Sequence, residues 1–246
     1  MSIENELAVF LNEQLRELPI KSRDIELIHY HYGFRGVAWP TLEETAEKFE
    51  LSKQRVRQIL ESKFREKVEV NDLPSLVGLA GIITSRRFVR SDKISEAASQ
   101  ASLLQPDVPL IGLLNLLHDL GLCTDYEIYT AGLLRAPRAT ISSNSNLFLI
   151  SQEELPRLRE ALRVAKGLPG WDGIARLDFL KKELGEGFEY FDEVVDMLRS
   201  DEDSWFYDYD GATYYLFETR HNSLINAMEK VKCVAAKADH DELAET

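Results

Sequence analysis

LEETAEKFELSKQRVRQILE, residues 42–61, is the stretch from which the rest of the chain is read. Pro40-Thr41 precedes it, and Thr41 with Glu44 has the pattern of a capping box, so a helix is expected to begin at Leu42. Leu42, Thr45, Ala46 and Phe49 recur at helical spacing and mark its inner face. A short break at Glu50-Leu51 follows, and Ser52 is placed to cap a second helix that runs to about Glu66. Two helices joined this tightly need a small residue at their crossing, and Ala46 stands there; Thr45 is the polar member of the inner set. Phe49, Leu51, Val56 and Ile59 supply the apolar interior of a helix-turn-helix.

In the second helix Ser52, Val56, Ile59 and Leu60 are expected inward, which leaves Lys53, Gln54, Arg57, Gln58 and Glu61 outward. That row begins at the N-terminal end, where a recognition helix meets base edges in the major groove. Arg57 suits a bidentate pair with guanine, and Gln54 or Gln58 suits adenine, each pair adding roughly 1–3 kcal/mol of discrimination. Arg55 at the flank, with Lys63, Arg65 and Lys67, suits phosphate contacts.

Charge along the chain supports a local contact of this kind. Of the 246 residues, 29 are basic and 42 acidic, for a net charge of −13. Residues 1–68 carry net −1, residues 69–150 net −2, and residues 151–246 net −10. Such a chain is a poor non-specific binder of nucleic acid, so any DNA contact must come from a local basic face. Residues 51–67 hold six bases and two acids and offer it.

Working outward, Leu7, Phe10, Leu11, Leu15 and Leu18 show helical spacing. Ser22 opens a further helix that Gly33 can end, and the loop GFRGVAWP leads to Thr41. Downstream, residues 71–90 are apolar with a basic end, and a helix is expected over 92–104. PLIGLLNLLHDL, residues 109–120, is apolar on nearly every side and reads as a buried helix rather than a reader. Strands are expected at 126–130 and 147–150, with the polar loop RAPRATISSNSN between them.

The last third has three expected helices, the first over 156–166, the second with Trp171, Ile174, Leu177 and Leu184, and the third with Phe191, Val194, Val195 and Leu198. The hairpin WFYDYDGATYYLF follows, turning at Asp210-Gly211, and then a closing helix with Leu224, Ile225, Met228 and Val231. The predicted fold is therefore mainly α. A helix-turn-helix bundle at residues 1–70 is followed by one or two winged-helix-like α+β modules, at 71–150 and 151–232, and a flexible tail at 233–246.

Residues 18–67 resemble region 4 of the sigma-70 family of RNA polymerase sigma factors. SRDIELIHYHYGF is similar to that region's first helix and its aromatic-glycine end, and TLEETAEKFELSKQRVRQI to its helix-turn-helix signature. The resemblance covers about a fifth of the chain. It implies that Lys53, Gln54, Arg57 and Gln58 read an upstream promoter element, that Thr41, Ser52 and Arg55 contact or position against phosphate, and that RNA polymerase is a second partner. Three departures stand out. Gln54 replaces a usual acid, His29 and His31 replace bases, and there is no counterpart of the segment that opens the downstream promoter element. A regulator built on a region 4 module is expected, not a complete sigma factor.

Other chemistry finds little support. No run of about 18 apolar residues suggests a membrane span, and the acidic start MSIENELAVF is not a secretory signal. Two distant cysteines, Cys123 and Cys233, suit a reducing cytoplasm and no disulfide scaffold. Asp201, Glu202, Asp203, Asp208 and Asp210 lack the ligand order of a calcium loop and read as a solvated loop and turn. The five histidines lack zinc spacing, and His118 reads as a hydrogen-bonded core residue. No enzyme, cofactor or metal is expected. The acidic C-terminal module, with Glu189, Asp192, Glu193 and Asp196 outward, repels phosphate and is expected to bind protein, to self-associate or to cover the basic helix. The function expected is a cytoplasmic, nucleoid-associated, sequence-specific transcription regulator. The alternatives are a protein-interaction adaptor and a DNA-binding subunit of a larger nucleoprotein or defence complex.

Overall fold

In the computed structural model the chain is mainly helical, with two small antiparallel sheets. The described residues are 1–13, 22–34, 39–104, 110–136, 147–170 and 173–218, with 226, 227 and 230. Leu15, Leu18, residues 35–38 and 137–146, Trp171, most of the expected closing helix, and the tail lie outside them. Two compact units are present, Met1–Glu154 and Leu155–Thr246.

The first unit opens with α1 (Ile3–Glu13) and α2 (Ser22–His31). Ile3, Leu7, Phe10 and Leu11 of α1 are buried, as their spacing predicts. Gly33, at φ 85°, ends α2 by the left-handed turn expected of it. α3 (Leu42–Lys48) and α4 (Lys53–Leu60) follow. The turn between them has no glycine. Glu50 takes the left-handed conformation there, at φ 53°, while Leu51 N donates to Ala46 O at 2.8 Å. A side chain with a Cβ is disfavoured in that conformation by roughly 1–2 kcal/mol. Glu50→Gly is accordingly expected to raise unfolding stability by about 0.5–1 kcal/mol, read as a higher urea midpoint. A lower midpoint would show that the glutamate side chain has a role of its own.

Beyond α4 the helix widens into a π turn at Glu61–Arg65, in agreement with the predicted end near Glu66. The unit continues with α5 (Pro74–Thr84), β1 (Phe88–Arg90), α6 (Ser91–Gln100), α7 (Leu110–Asp119), β2 (Tyr126–Thr130) and β3 (Leu147–Ser151). β3 lies between β1 and β2, antiparallel to both. One buried cluster runs through residue 70, where the sequence divides the first two expected modules, and joins Leu27, Val56 and Phe64 to Leu76, Leu113 and Leu149. Glu6 ties the same parts together. Its buried carboxylate accepts from Ser75 N at 3.0 and 2.9 Å and from the Ser75 hydroxyl, so α1 caps the start of α5, where Leu73 has no side chain able to do so.

The second unit contains α8 (Leu155–Gly167), β4 (Ala175–Arg176), α9 (Leu177–Leu184), α10 (Phe191–Arg199), β5 (Ser204–Tyr209) and β6 (Ala212–Phe217). β6 lies between β4 and β5. The order helix, strand, helix, helix, strand, strand, with the last strand in the middle, therefore occurs twice, in residues 74–151 and 155–217. β1 and β4 are absent from the sequence prediction. With three and two residues they are too short to show alternation. The hairpin turns at Asp210 and Gly211, both in the left-handed region at φ 48° and 71°, as a type I′ turn requires. Tyr215 is 1% exposed, and its hydroxyl donates to Ala165 O at 2.8 Å, fixing β6 to α8.

Candidate nucleic-acid interface

Two caps set the start of each helix in the expected helix-turn-helix. Thr41 Oγ1 accepts from Glu44 N at 3.1 Å, and Thr41 N donates to Glu44 Oε2 at 2.6 Å, so the predicted capping box is closed. Ser52 Oγ accepts from Arg55 N at 3.2 Å. Thr45, the polar member of the inner set, is fully buried and is satisfied by donating to Thr41 O at 2.8 Å. Ala46 is buried beside it, while Leu42, Phe49 and Leu51 are half-buried against the same core.

α4 divides sharply into two faces. Val56, Ile59 and Leu60 are no more than 1% exposed. Lys53, Gln54, Arg55, Arg57 and Gln58 are all exposed. Ser52 is exposed as well, not inward as its spacing suggested, because an N-cap lies outside the helix it caps. Arg55 Nη1 donates to Gln58 Oε1 at 3.3 Å, and Lys53 forms an ion pair with Glu43 of α3 in which both side chains stay exposed. Surface pairs of that kind contribute little and exchange readily for another anion. The Gln54 and Arg57 side chains make no hydrogen bond or ion pair among the described residues. The free amides at the N-terminus of α4 add partial positive charge beside this row.

Of the bases expected at phosphates, Lys63 is half-buried on the π turn and Lys67 is exposed. Arg65 differs from expectation. Its Nη2 donates to Asp119 of α7 at 2.7 Å and its Nη1 to Glu61 at 3.2 Å. Tyr32 donates its hydroxyl to the same Asp119 oxygen at 2.7 Å. Arg65 is thus a structural clamp, not a phosphate contact. His29 and His31 also differ, being 2% exposed on the inner side of α2, where they pack on Phe34 and Tyr32.

Sequence reasoning missed how α7 is held. Its apolar face is buried as predicted, and it sits against the end of α2 and the π turn after α4, through Tyr32 and Arg65. A Cβ on Gly112 would stand 2.2 Å from Tyr32 O, so only glycine permits this approach. A cleft of about 380 Å³ opens beside the exposed row of α4, and Asn115 of α7 lines it together with His31, Arg57, Gln58 and Arg65. His118 is half-buried, and its Nε2 lies 2.9 Å from Cys123 O, so it is hydrogen-bonded as expected.

In the second unit, Asp192 of α10 is exposed and Glu193 and Asp196 are half-buried, with Glu189 exposed just before the helix. Asp201 departs from the expected solvated loop, since it is half-buried and paired with Lys166 at 2.7 Å. Asp208 accepts from the Thr213 hydroxyl at 2.6 Å across the hairpin. Among the described residues no group of three or more His, Cys, Asp or Glu side chains could hold a metal ion, and no helix is long and apolar enough to cross a membrane. In comparisons with known proteins, no family model, curated protein or solved structure matches this chain.

Proposed function

We propose that this chain is a sequence-specific, DNA-binding transcription regulator that lays α4 in the major groove. The observation that carries this is the helix α4 itself. Its apolar face is fully buried, and Lys53, Gln54, Arg55, Arg57 and Gln58 stand exposed from its N-terminal end. These are the residue types that meet base edges and phosphates, at the end of the helix that enters the groove. Capped helices and a small residue at their crossing support the resemblance to sigma region 4, and RNA polymerase is the protein partner which that resemblance implies. The repeated element and strand order supports two winged-helix-like modules after it. In such a module the third helix is the usual reader. Here α7 is largely buried, with Gly112 against Tyr32 at the end of α2, and α10 carries acids, so α4 is left as the reader and residues 155–246 as the part that binds protein.

Selection of binding sites from random duplex DNA by the intact chain tests this. A defined motif is expected. Arg57→Ala should lose about 1–3 kcal/mol of specific binding and relax preference at one position, whereas Lys63→Ala should weaken all sequences alike and make the salt slope shallower by about one unit. No enriched motif, with neither variant altering binding, would leave the adaptor reading, in which the same fold docks on protein. That reading has an observation of its own in the acids of α10.

A further inference from the structure

We propose that the outer edge and open face of the C-terminal sheet take up an extended, basic segment of a partner protein. This rests on residues 155–246 being the partner-binding part, and it names the surface and the chemistry. β5 is at the edge of the sheet, so among the described residues one side of its backbone has no strand partner. An edge strand of six residues with open N–H and C=O groups is a template for a further strand. Trp205, Tyr207 and Tyr209 are 60%, 61% and 60% exposed. By register they share a face with Tyr214 and Leu216 of β6 and Arg176 of β4, while Tyr215 and Phe217 fill the core from the other face. The core accounts for the inner aromatics but not for the outer ones, and contiguous exposed apolar area of this kind marks an interaction site. The Tyr207 and Tyr209 rings stack at 6.3 Å and 15°, a ready platform.

The charge around this platform selects the occupant. Glu202, Asp203, Asp210 and Glu218 are exposed at the ends of the two strands, and Trp205 Nε1 donates to Glu218 at 3.3 Å. Phosphate is repelled from such a surface. A second copy would bring the same acids face to face. A basic strand meets neither objection, since its arginine or lysine side chains would stack on the rings and pair with the acids. The sheet already holds one example. The Arg176 guanidinium lies 5.9 Å from the Tyr214 ring and 5.1 Å from the Phe179 ring while it pairs with Asp178.

The full-length protein can be titrated with a short labelled peptide of alternating arginine and valine. Two controls accompany it, one with glutamate for arginine and one with proline for valine, which keeps the charge but cannot pair as a strand. The arginine–valine peptide should bind, and both controls should bind at least tenfold more weakly. Tyr207→Ala with Tyr209→Ala should weaken it about tenfold. Asp210→Asn, which keeps the turn, should weaken it about twofold and steepen nothing in the thermal melt. Absence of binding at about 1 mM peptide, equal binding of the proline peptide, or a dimer of the protein that Tyr207→Ala dissolves would each overturn the inference. Duplex DNA binding measured on the same variants keeps the two proposals apart, because it depends on α4 and should not change. If deleting residues 155–246 left every protein contact intact, the wider partner-binding reading would fall with it.

Discussion

Gly112→Ala is expected to destabilise the first unit by about 3 kcal/mol, the upper part of the range for overpacking a filled interior. The added Cβ would be placed 2.2 Å from Tyr32 O and 3.0 Å from Tyr32 C, with Trp39 Cδ1 at 3.6 Å. The two closest neighbours are backbone atoms, which cannot swing aside as a side chain can. Relief must come from moving α7 away from the end of α2, and that opens the core around Leu113 and Leu116, both fully buried. Urea unfolding measures the loss. Duplex DNA binding provides a second readout, because Asn115 on α7 shares a cleft with Arg57 and Gln58. Gly78→Ala is the control. It lies on α5, where the added Cβ would meet only Leu103 side-chain atoms at 3.5 and 3.7 Å, and it should be neutral or stabilising. A change below about 1 kcal/mol in Gly112→Ala would mean that α7 does not sit on α2 as described.

This contact also marks the limit of what the sequence made legible. The two capped helices α3 and α4 were readable because their signals are local: Thr41 with Glu44, Ser52 before a basic run, and apolar residues at helical spacing all act within one or two turns. The hairpin was readable because Asp210-Gly211 states its turn type. By contrast, nothing in PLIGLLNLLHDL says what its apolar face covers, and Gly112 reads as a helix weakness until Tyr32 O stands behind it. Arg65 looked like one more base in a basic stretch because its partner, Asp119, is 54 residues away. His29 and His31 were misplaced for a related reason. Two polar residues two apart on an apolar helix look like surface, yet here both lie on the buried side of α2. Strands β1 and β4 carry no period to detect.

Asp119→Ala should cost about 2 kcal/mol, because one carboxylate oxygen receives two donors that have little other recourse. The Tyr32 hydroxyl and Arg65 Nη2 both reach it at 2.7 Å, and Tyr32 is fully buried. Truncation leaves a buried hydroxyl without an acceptor and a half-buried guanidinium with only the exposed Glu61 for charge compensation. Asp119→Asn keeps an acceptor and should lose about half as much. The network lies between the end of α2, the π turn after α4, and α7, so its loss should also loosen α4 and, on the function proposed for that helix, reduce duplex binding in proportion to the loss of stability. The pH dependence has a definite sign. Burial, and then the neighbouring Asp119 charge, push the Tyr32 phenol above its ordinary value; burial does the same to Tyr215, and burial with the nearby Asp125 charge takes the Cys123 thiol up to about 11. Each group folds in its protonated form, so its contribution is intact below the unfolded values, 9.0 for the thiol and 10.0 for the phenols, and is lost as pH rises through them. Stability should therefore fall steeply with alkaline pH, and the fall should be less steep in Tyr32→Phe, which has no phenol to ionise. A pH profile of urea midpoints that is flat from 8 to 11, or identical in Tyr32→Phe, would show that this clamp does not hold α7 against the end of α2 and the π turn.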